Sequence, residues 1–255
     1  MNGQNEMRFL VTAGNTRERI DQVRDWGNIF TGNTGYTIAR ALASMGTVEL
    51  LTSNRQHLAE IAGLKTPYPI SGGGFATHAE LGSLLEERMG RGRSLGYDGV
   101  FMTAAVADYK PKRTFSVGSR KTNPDGSETW IVRDAQAGKI KSNHSMIAVL
   151  GEQTEKLVDL FRSRWKFPGL LVKFKLEVGI DAGRLLEIGR QSRAASGADY
   201  LVATTLDMVE GEKAGAYLIG AEGERWIPRA ALAQQVSDLA GRGIRALAED
   251  RSGPA

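Results

Sequence analysis

The chain has 255 residues, 41% hydrophobic and 24% charged, with a formal net charge of +4. That length and apolar content suit a folded chain with a sizeable core and exclude a fibrous or wholly disordered one. With no cysteine, disulfides, thiolate metal sites and a cysteine nucleophile are excluded, and the three histidines (His57, His78, His144) show no metal-ligand spacing.

Chain order begins with Met1–Glu6, which lacks the basic-then-apolar pattern of a signal peptide. No apolar run reaches membrane-spanning length, so a cytoplasmic protein with no membrane partner is expected. Arg8–Ala13 (RFLVTA) is a short buried strand ended by Gly14. A long polar stretch follows from Asn15 to Thr31. Asn33–Met45 places Tyr36, Ile38, Ala39, Leu42 and Ala43 at helical spacing, with Gly46 as the helix stop. Val48–Thr52 is the next strand, which makes a strand–helix–strand unit.

The alternation continues. Ala76–Arg91 reads as a helix and Asp98–Val106 as a buried strand. Thr154–Trp165 is helical, Gly169–Phe174 a strand, and Asp181 caps a helix running to Ser196 with Gly197 closing it. Asp199–Ala203 is another strand, Ala216–Ile219 and Glu224–Ile227 an antiparallel pair, and Arg229–Ala248 the last helix, followed by a frayed tail from Ser252 to Ala255. Gly72-Gly73-Gly74 reads as a flexible turn. Gly90 to Gly96 spells GxGxxxG but follows a helix, which argues against a dinucleotide loop. Lys110–Ser145 is polar and irregular, with one strand at Thr129–Val132 and a second at Met146–Leu150; it is expected to form a mobile flap. The expected fold is α/β, a doubly wound, mostly parallel Rossmann-like sheet: one domain over residues 1–255, with the flap (about 110–145) inside it.

Ligands of doubly wound sheets sit at the C-terminal strand ends, and three polar segments fall there. The first runs from Gly14, Thr16 and Arg17 through Asp21, Arg24 and Asn28 to Gly32 and Gly35. Small residues before a helix suit an anion, and Arg17 and Arg24 add phosphate-binding capacity. The competing reading is a surface loop with an ordinary cap. The second, Thr103 to Asp108, puts Ala104 and Ala105 where a flat ring can pack on the backbone, with Asp108 placed for a ribose hydroxyl or a magnesium ion, or simply as a helix cap. The third, Lys139-Ile140-Lys141, offers flap lysines that close over phosphates, or a solvated turn. Phe174 is either core or the flank of a base. The mild, dispersed basic excess lacks aromatic interleaving, so a small anionic substrate is expected and nucleic acid is not.

Together, VTAGNTRERIDQVRDWGNIFTGNTG, AAVADYKPK, GKIKS, LLVKFKLEVG and GADYLVA, in this order from about Phe9 to Leu206, resemble phosphopantothenate–cysteine ligase in its stand-alone form. The resemblance implies that a nucleoside triphosphate, CTP or ATP, activates the carboxylate of 4′-phosphopantothenate with Mg2+ assisting. Cysteine then attacks the acyl-nucleotide. It implies that Asn28 orients the acyl group with Arg24 nearby, that Ala104, Ala105, Asp108 and Phe174 contact the nucleotide, and that Lys139 serves activation with Lys141 as helper. It further implies a homodimer whose flap reaches the partner's site. The chain departs from the family pattern at Asn15 (a glycine there), at Thr204 (an asparagine), and at Gln191 and Ala195 (two lysines). Two other readings share the fold class: a short-chain nicotinamide oxidoreductase, whose YxxxK pair is missing (Tyr36 is followed at the fourth position by Arg40), and a non-catalytic nucleotide-binding relative.

Overall fold

A computed structural model describes residues 6–90, 96–211 and 214–252. Most of the Gly90–Gly96 stretch and of the C-terminal tail therefore lies outside the described residues. In chain order the elements are β1 (Met7–Ala13), β2 (Arg17–Arg19), β3 (Asp25–Gly27), α1 (Asn33–Leu42), β4 (Gly46–Thr52), α2 (Arg55–Gly63), β5 (Ile70–Gly74), α3 (His78–Met89), β6 (Gly99–Met102), β7 (Tyr109–Thr122), β8 (Glu128–Asp134), β9 (Ile147–Gln153), α4 (Leu157–Ser163), β10 (Leu170–Glu177), α5 (Ala182–Ser196), β11 (Tyr200–Thr205), β12 (Gly215–Gly220), β13 (Gly223–Pro228) and α6 (Leu232–Ser252).

The main sheet has eight strands in the order β13-β12-β11-β10-β6-β1-β4-β5. The six from β11 to β5 are parallel, and β12 and β13 pair antiparallel at the edge. Counted among the parallel strands alone, the order is 3-2-1-4-5-6, the doubly wound Rossmann order. Both faces are covered, which explains the unbroken apolar strands. β1 shows the mechanism: Phe9 and Val11 join one core cluster with Ile38 and Leu42 of α1 and Val236 and Leu239 of α6. Leu10, pointing the other way, joins Leu81 and Leu85 of α3 and Phe161 of α4.

Several sequence boundaries shift. Gly46 is the first residue of β4 and α1 ends at Leu42, capped by Ala43. Gly72-Gly73-Gly74 is not a turn but part of edge strand β5, paired with β4. A Cβ on Gly72 would stand 2.6 Å from Ile61 Cδ1 and 2.7 Å from Leu58 Cδ2, so α2 packs where side chains would otherwise be. The strand expected over Asp98–Val106 stops at Met102, because the next residues turn to bond the loop after β1. Arg229–Ala231 is a 3-10 turn and the last helix begins at Leu232.

The expected irregular flap is more ordered than its composition suggests. Residues 109–153 build a three-stranded antiparallel sheet, β8-β7-β9, with β7 14 residues long at its centre. A separate two-stranded hairpin, β2–β3, projects from the loop after β1.

Candidate functional site

The strand order reverses between β1 and β6, and the crevice beyond their C-terminal ends holds a cavity of about 810 Å3. Its floor is made by two adjacent loops. The Ala105 N–H donates to Gly14 O at 2.8 Å, and the Thr16 N–H donates to Ala105 O at 3.1 Å. The Thr16 hydroxyl, fully buried, accepts from the Ala107 N–H at 2.8 Å. Two distant segments are thereby joined as though by one extra strand pairing, leaving Gly14, Ala104 and Ala105 against the cavity.

α1 forms the next wall, and its glycines set how near it comes. Gly32 has φ +84°, and a Cβ there would stand 2.1 Å from the Gly14 nitrogen. A Cβ on Gly35 would stand 2.2 Å from Thr103 Oγ1 and 2.8 Å from Ala13 Cβ. No side chain caps the helix start, and its first turn carries no acid. The open N–H groups and the positive dipole end therefore favour an anion in the cavity. Phe174 and Lys175 of β10 close the opposite side, with Leu206, Val209 and Leu232 supplying apolar surface.

Beneath α1, His57 is buried and stacked on Tyr36, with ring centroids 4.5 Å apart. Its Nε2 lies 3.1 Å from Asn33 Oδ1 and 3.2 Å from Asn54 Nδ2. Asn54 in turn donates to Thr31 O, so this group holds the loop that leads into α1. Burial pushes the His57 pKa down, opposed by nearby Glu60.

Asn28 sits at the cavity's edge. Its side-chain amide donates to Ala105 O at 3.1 Å, and its own carbonyl accepts from the Asn15 amide. Asn15, where the family pattern has a glycine, thus ties Asn28 to the floor. Ile29 and Phe30, the next residues, line the cavity.

The hairpin and flap meet at Asp21. Its side chain is fully buried and accepts the N–H groups of Val23 and Arg24 (2.8 Å each) and of Ile140 (3.1 Å). Arg24 pairs with Asp21 at 3.0 Å and donates to Ile140 O at 2.5 Å. Both sides of the Ile140 residue are therefore bonded by its backbone, and its side chain is buried. Backbone donors, the Ile140 N–H foremost, hold the Asp21 pKa below the usual carboxylate range, against the opposing effect of burial. The flap lysines expected to be mobile accordingly flank an anchored residue: Gly138 O also accepts from the Gln22 N–H.

The predicted site residues are not all gathered. Gly14, Gly32, Gly35, Ala104, Ala105 and Phe174 line the cavity, with Thr16 and Asn28 bonded to its floor. Arg17 lines a different cavity, of about 630 Å3, with Arg19 and Arg55. Arg24 turns to the flap. Lys139, Lys141 and Asp108 line neither cavity. Asp108 stands at the flap's root, its carbonyl bonded by the Thr154 N–H. Among the described residues no three His, Cys, Asp or Glu cluster as a metal site, and no helix is long and apolar enough to cross a membrane. Gln191 and Ala195 lie on α5, away from the cavity walls. The neighbouring Arg190 pairs with Glu224, and Arg193 bonds the carbonyls of Ala198 and Asp199, so neither replaces a missing lysine there. Sequence reasoning missed Arg229 and Glu210, which line the cavity.

This geometry defines a doubly wound α/β protein with a ligand crevice at its topological switch point. The chain belongs to the DNA/pantothenate metabolism flavoprotein C-terminal domain family, whose model matches residues 4–240. It is 28% identical over 223 residues to the coenzyme A biosynthesis bifunctional protein CoaBC of Thermococcus kodakarensis, covering 87% of this chain and 47% of that protein. It is 31% identical over 149 residues to the corresponding protein of Bacillus subtilis, covering 58% and 32%. The chain thus spans about half or less of the length of the curated relatives it matches. The crystal structure of the DNA/pantothenate metabolism flavoprotein from Streptococcus pneumoniae superposes with a TM-score of 0.71 at 24% identity, covering 94% of this chain and 99% of that one.

Proposed function

We propose that this chain is a phosphopantothenate–cysteine ligase acting in coenzyme A biosynthesis, in the cytoplasm. It joins 4′-phosphopantothenate to L-cysteine through an acyl-nucleotide, using CTP or ATP, as one catalytic unit that includes the flap. The observation that carries the reading is the meeting of Gly14 and Asn28 on one residue, Ala105, at the mouth of the switch-point cavity. Relatives of this family bear a coenzyme A biosynthesis name.

In this reading the nucleotide lies over Gly14 and the Ala104–Ala105 backbone with Phe174 at its side, and its phosphates face the open start of α1. The substrate carboxylate attacks the α-phosphate, and pyrophosphate leaves. Asn28, an uncharged donor held at the cavity's edge, orients the activated acyl group and stabilises the charge its oxygen gains when the cysteine amine attacks. Arg24 fixes the flap and stands beside the acyl substrate. Lys139 and Lys141, on either side of the anchored Ile140, supply positive charge during activation; Gly32 and Gly35 serve phosphate at the start of α1, while Arg17, in the second cavity, would reach the substrate phosphate only from there. Mg2+ is bound mainly through phosphates and water and asks for only one or two carboxylates. Asp108, an exposed carboxylate at the flap's root, meets that demand. When bound, the ion supplies charge neutralisation of the triphosphate.

The proposed assembly is a homodimer formed through the three-stranded flap sheet, which exposes Trp130, Ile131, Val132, Ile147 and Leu150. Such a grouping on one small sheet suits an interface.

The test is pyrophosphate release with each nucleoside triphosphate, 4′-phosphopantothenate and cysteine. Release that needs both the nucleotide and phosphopantothenate supports the ligase; release of neither pyrophosphate nor product with CTP or ATP overturns it. Light scattering on wild type and Ile131→Glu reports the dimer, which the charge should dissociate.

A further inference from the structure

We propose that Arg229 grips the anionic phosphate chain of the nucleotide, a role that rests on the ligase reading above. The residue opens the 3-10 turn between β13 and α6, and its N–H donates to Ala214 O at 2.9 Å, which fixes the turn. From there its guanidinium reaches across the cavity mouth to α1, where Nη2 donates to Thr34 Oγ1 at 2.9 Å. Thr34 is the second residue of that helix, so the guanidinium stands beside the uncapped N–H groups.

The charge balance of the cavity singles this residue out. Among the described residues two cations line it, Lys175 and Arg229. Lys175 is paired with Glu177 at 2.9 Å. Arg229 has no carboxylate within ion-pair distance among the described residues, although Glu210 lines the same cavity. An arginine has five N–H donors in a planar fork, and Thr34 takes one while aiming the rest. A fork held in place by a hydroxyl, with no carboxylate partner among the described residues, is suited to bidentate binding of phosphate oxygens. A neutral ligand would draw far less from it than an anion. The cation also offsets Glu210, which alone would repel a triphosphate.

The test is steady-state pyrophosphate release combined with calorimetric titration of the nucleoside triphosphate, the monophosphate and the uncharged nucleoside. Arg229→Gln is expected to raise the nucleotide KM by roughly tenfold or more, with the KM for cysteine unchanged. Triphosphate affinity should fall far more than nucleoside affinity, and Arg229→Lys should restore part of it. Thr34→Val, which frees the fork without removing charge, should give a smaller loss in the same direction. An Arg229→Gln enzyme with wild-type triphosphate affinity overturns the proposal. So does equal loss of affinity for triphosphate and nucleoside, because that marks a distorted cavity, not a lost charge. If the wild-type protein binds triphosphate but releases no pyrophosphate, the ligase reading fails while the titration still tests Arg229.

Discussion

Replacing Gly32 by alanine tests the closest approach in the cavity wall. Two costs add. An L-residue at φ +84° costs about 1–2 kcal/mol. The new Cβ, built 2.1 Å from the Gly14 nitrogen and 2.6 Å from its Cα, must retreat by more than 1 Å against backbone that cannot rotate away. Overpacking of that kind costs about 1–3 kcal/mol. Alanine recovers up to about 1 kcal/mol by restricting the unfolded chain. The net loss is about 1–5 kcal/mol, which for a chain of this size lowers Tm by roughly 2–20 °C. The retreat also moves the start of α1 from the floor, so nucleotide affinity should fall with it. Gly63→Ala is the control: nothing lies within 4 Å of a Cβ there, and helix propensity predicts a neutral or slightly stabilising change. Differential scanning fluorimetry with and without nucleotide reads both effects. Should Gly32→Ala melt with the wild type and keep its nucleotide affinity, the tight packing of Gly32 on Gly14 would not be what positions this wall.

Three further outcomes are expected. In the proposed mechanism Asn28→Asp puts a negative charge where the acyl oxygen gains charge, so amide formation should fall by roughly 10²–10³-fold, far more than the modest drop in Tm from losing the donor to Ala105 O explains; wild-type turnover would remove Asn28 from the mechanism. Asp21→Asn should release the Ile140 backbone, seen as faster hydrogen exchange at residues 138–141 and easier proteolysis of the flap, and an unchanged exchange pattern would refute the anchoring. His57 has its folded pKa below the unfolded value of about 6.5, so the folded state binds fewer protons; stability should be full above that pH and decline as pH falls through and below it. His57→Gln should flatten this part of the pH–stability curve, and a His57→Gln curve identical to wild type would assign the decline to other groups.

The parallel core was legible because its strands are apolar on both faces and short: RFLVTA, GVFM and LLVKF each read as buried runs. β5 was not, since its three glycines carry no periodicity; their meaning lies in side chains that occupy the space, Leu58 and Ile61 of α2 at Gly72, Leu58 again at Gly74 and Leu51 of β4 at Gly73. β7 was missed for a different reason. Most of its residues are polar and solvent-facing, so the strand is defined by its pairing with β8 and β9 and not by burial. In the site, the loop after β1 and the Ala104–Ala105 segment were expected to converge and do. Arg229 was invisible because its contact with Thr34 spans 195 residues and no local pattern marks it. The same holds for Asp21 and Ile140, 119 residues apart.

The anchoring at Ile140 separates placement from chemistry. Asp21 and Arg24 recognise only main-chain atoms of the flap there, so exchanging either adjacent lysine for another side chain leaves the loop docked where it was. Proline is the exception: at position 140 it would delete the N–H that Asp21 holds, and the strap would come loose while both amines remained present. Evolution or a protein engineer can thus exchange the two flanking amines without rebuilding the mount that carries them.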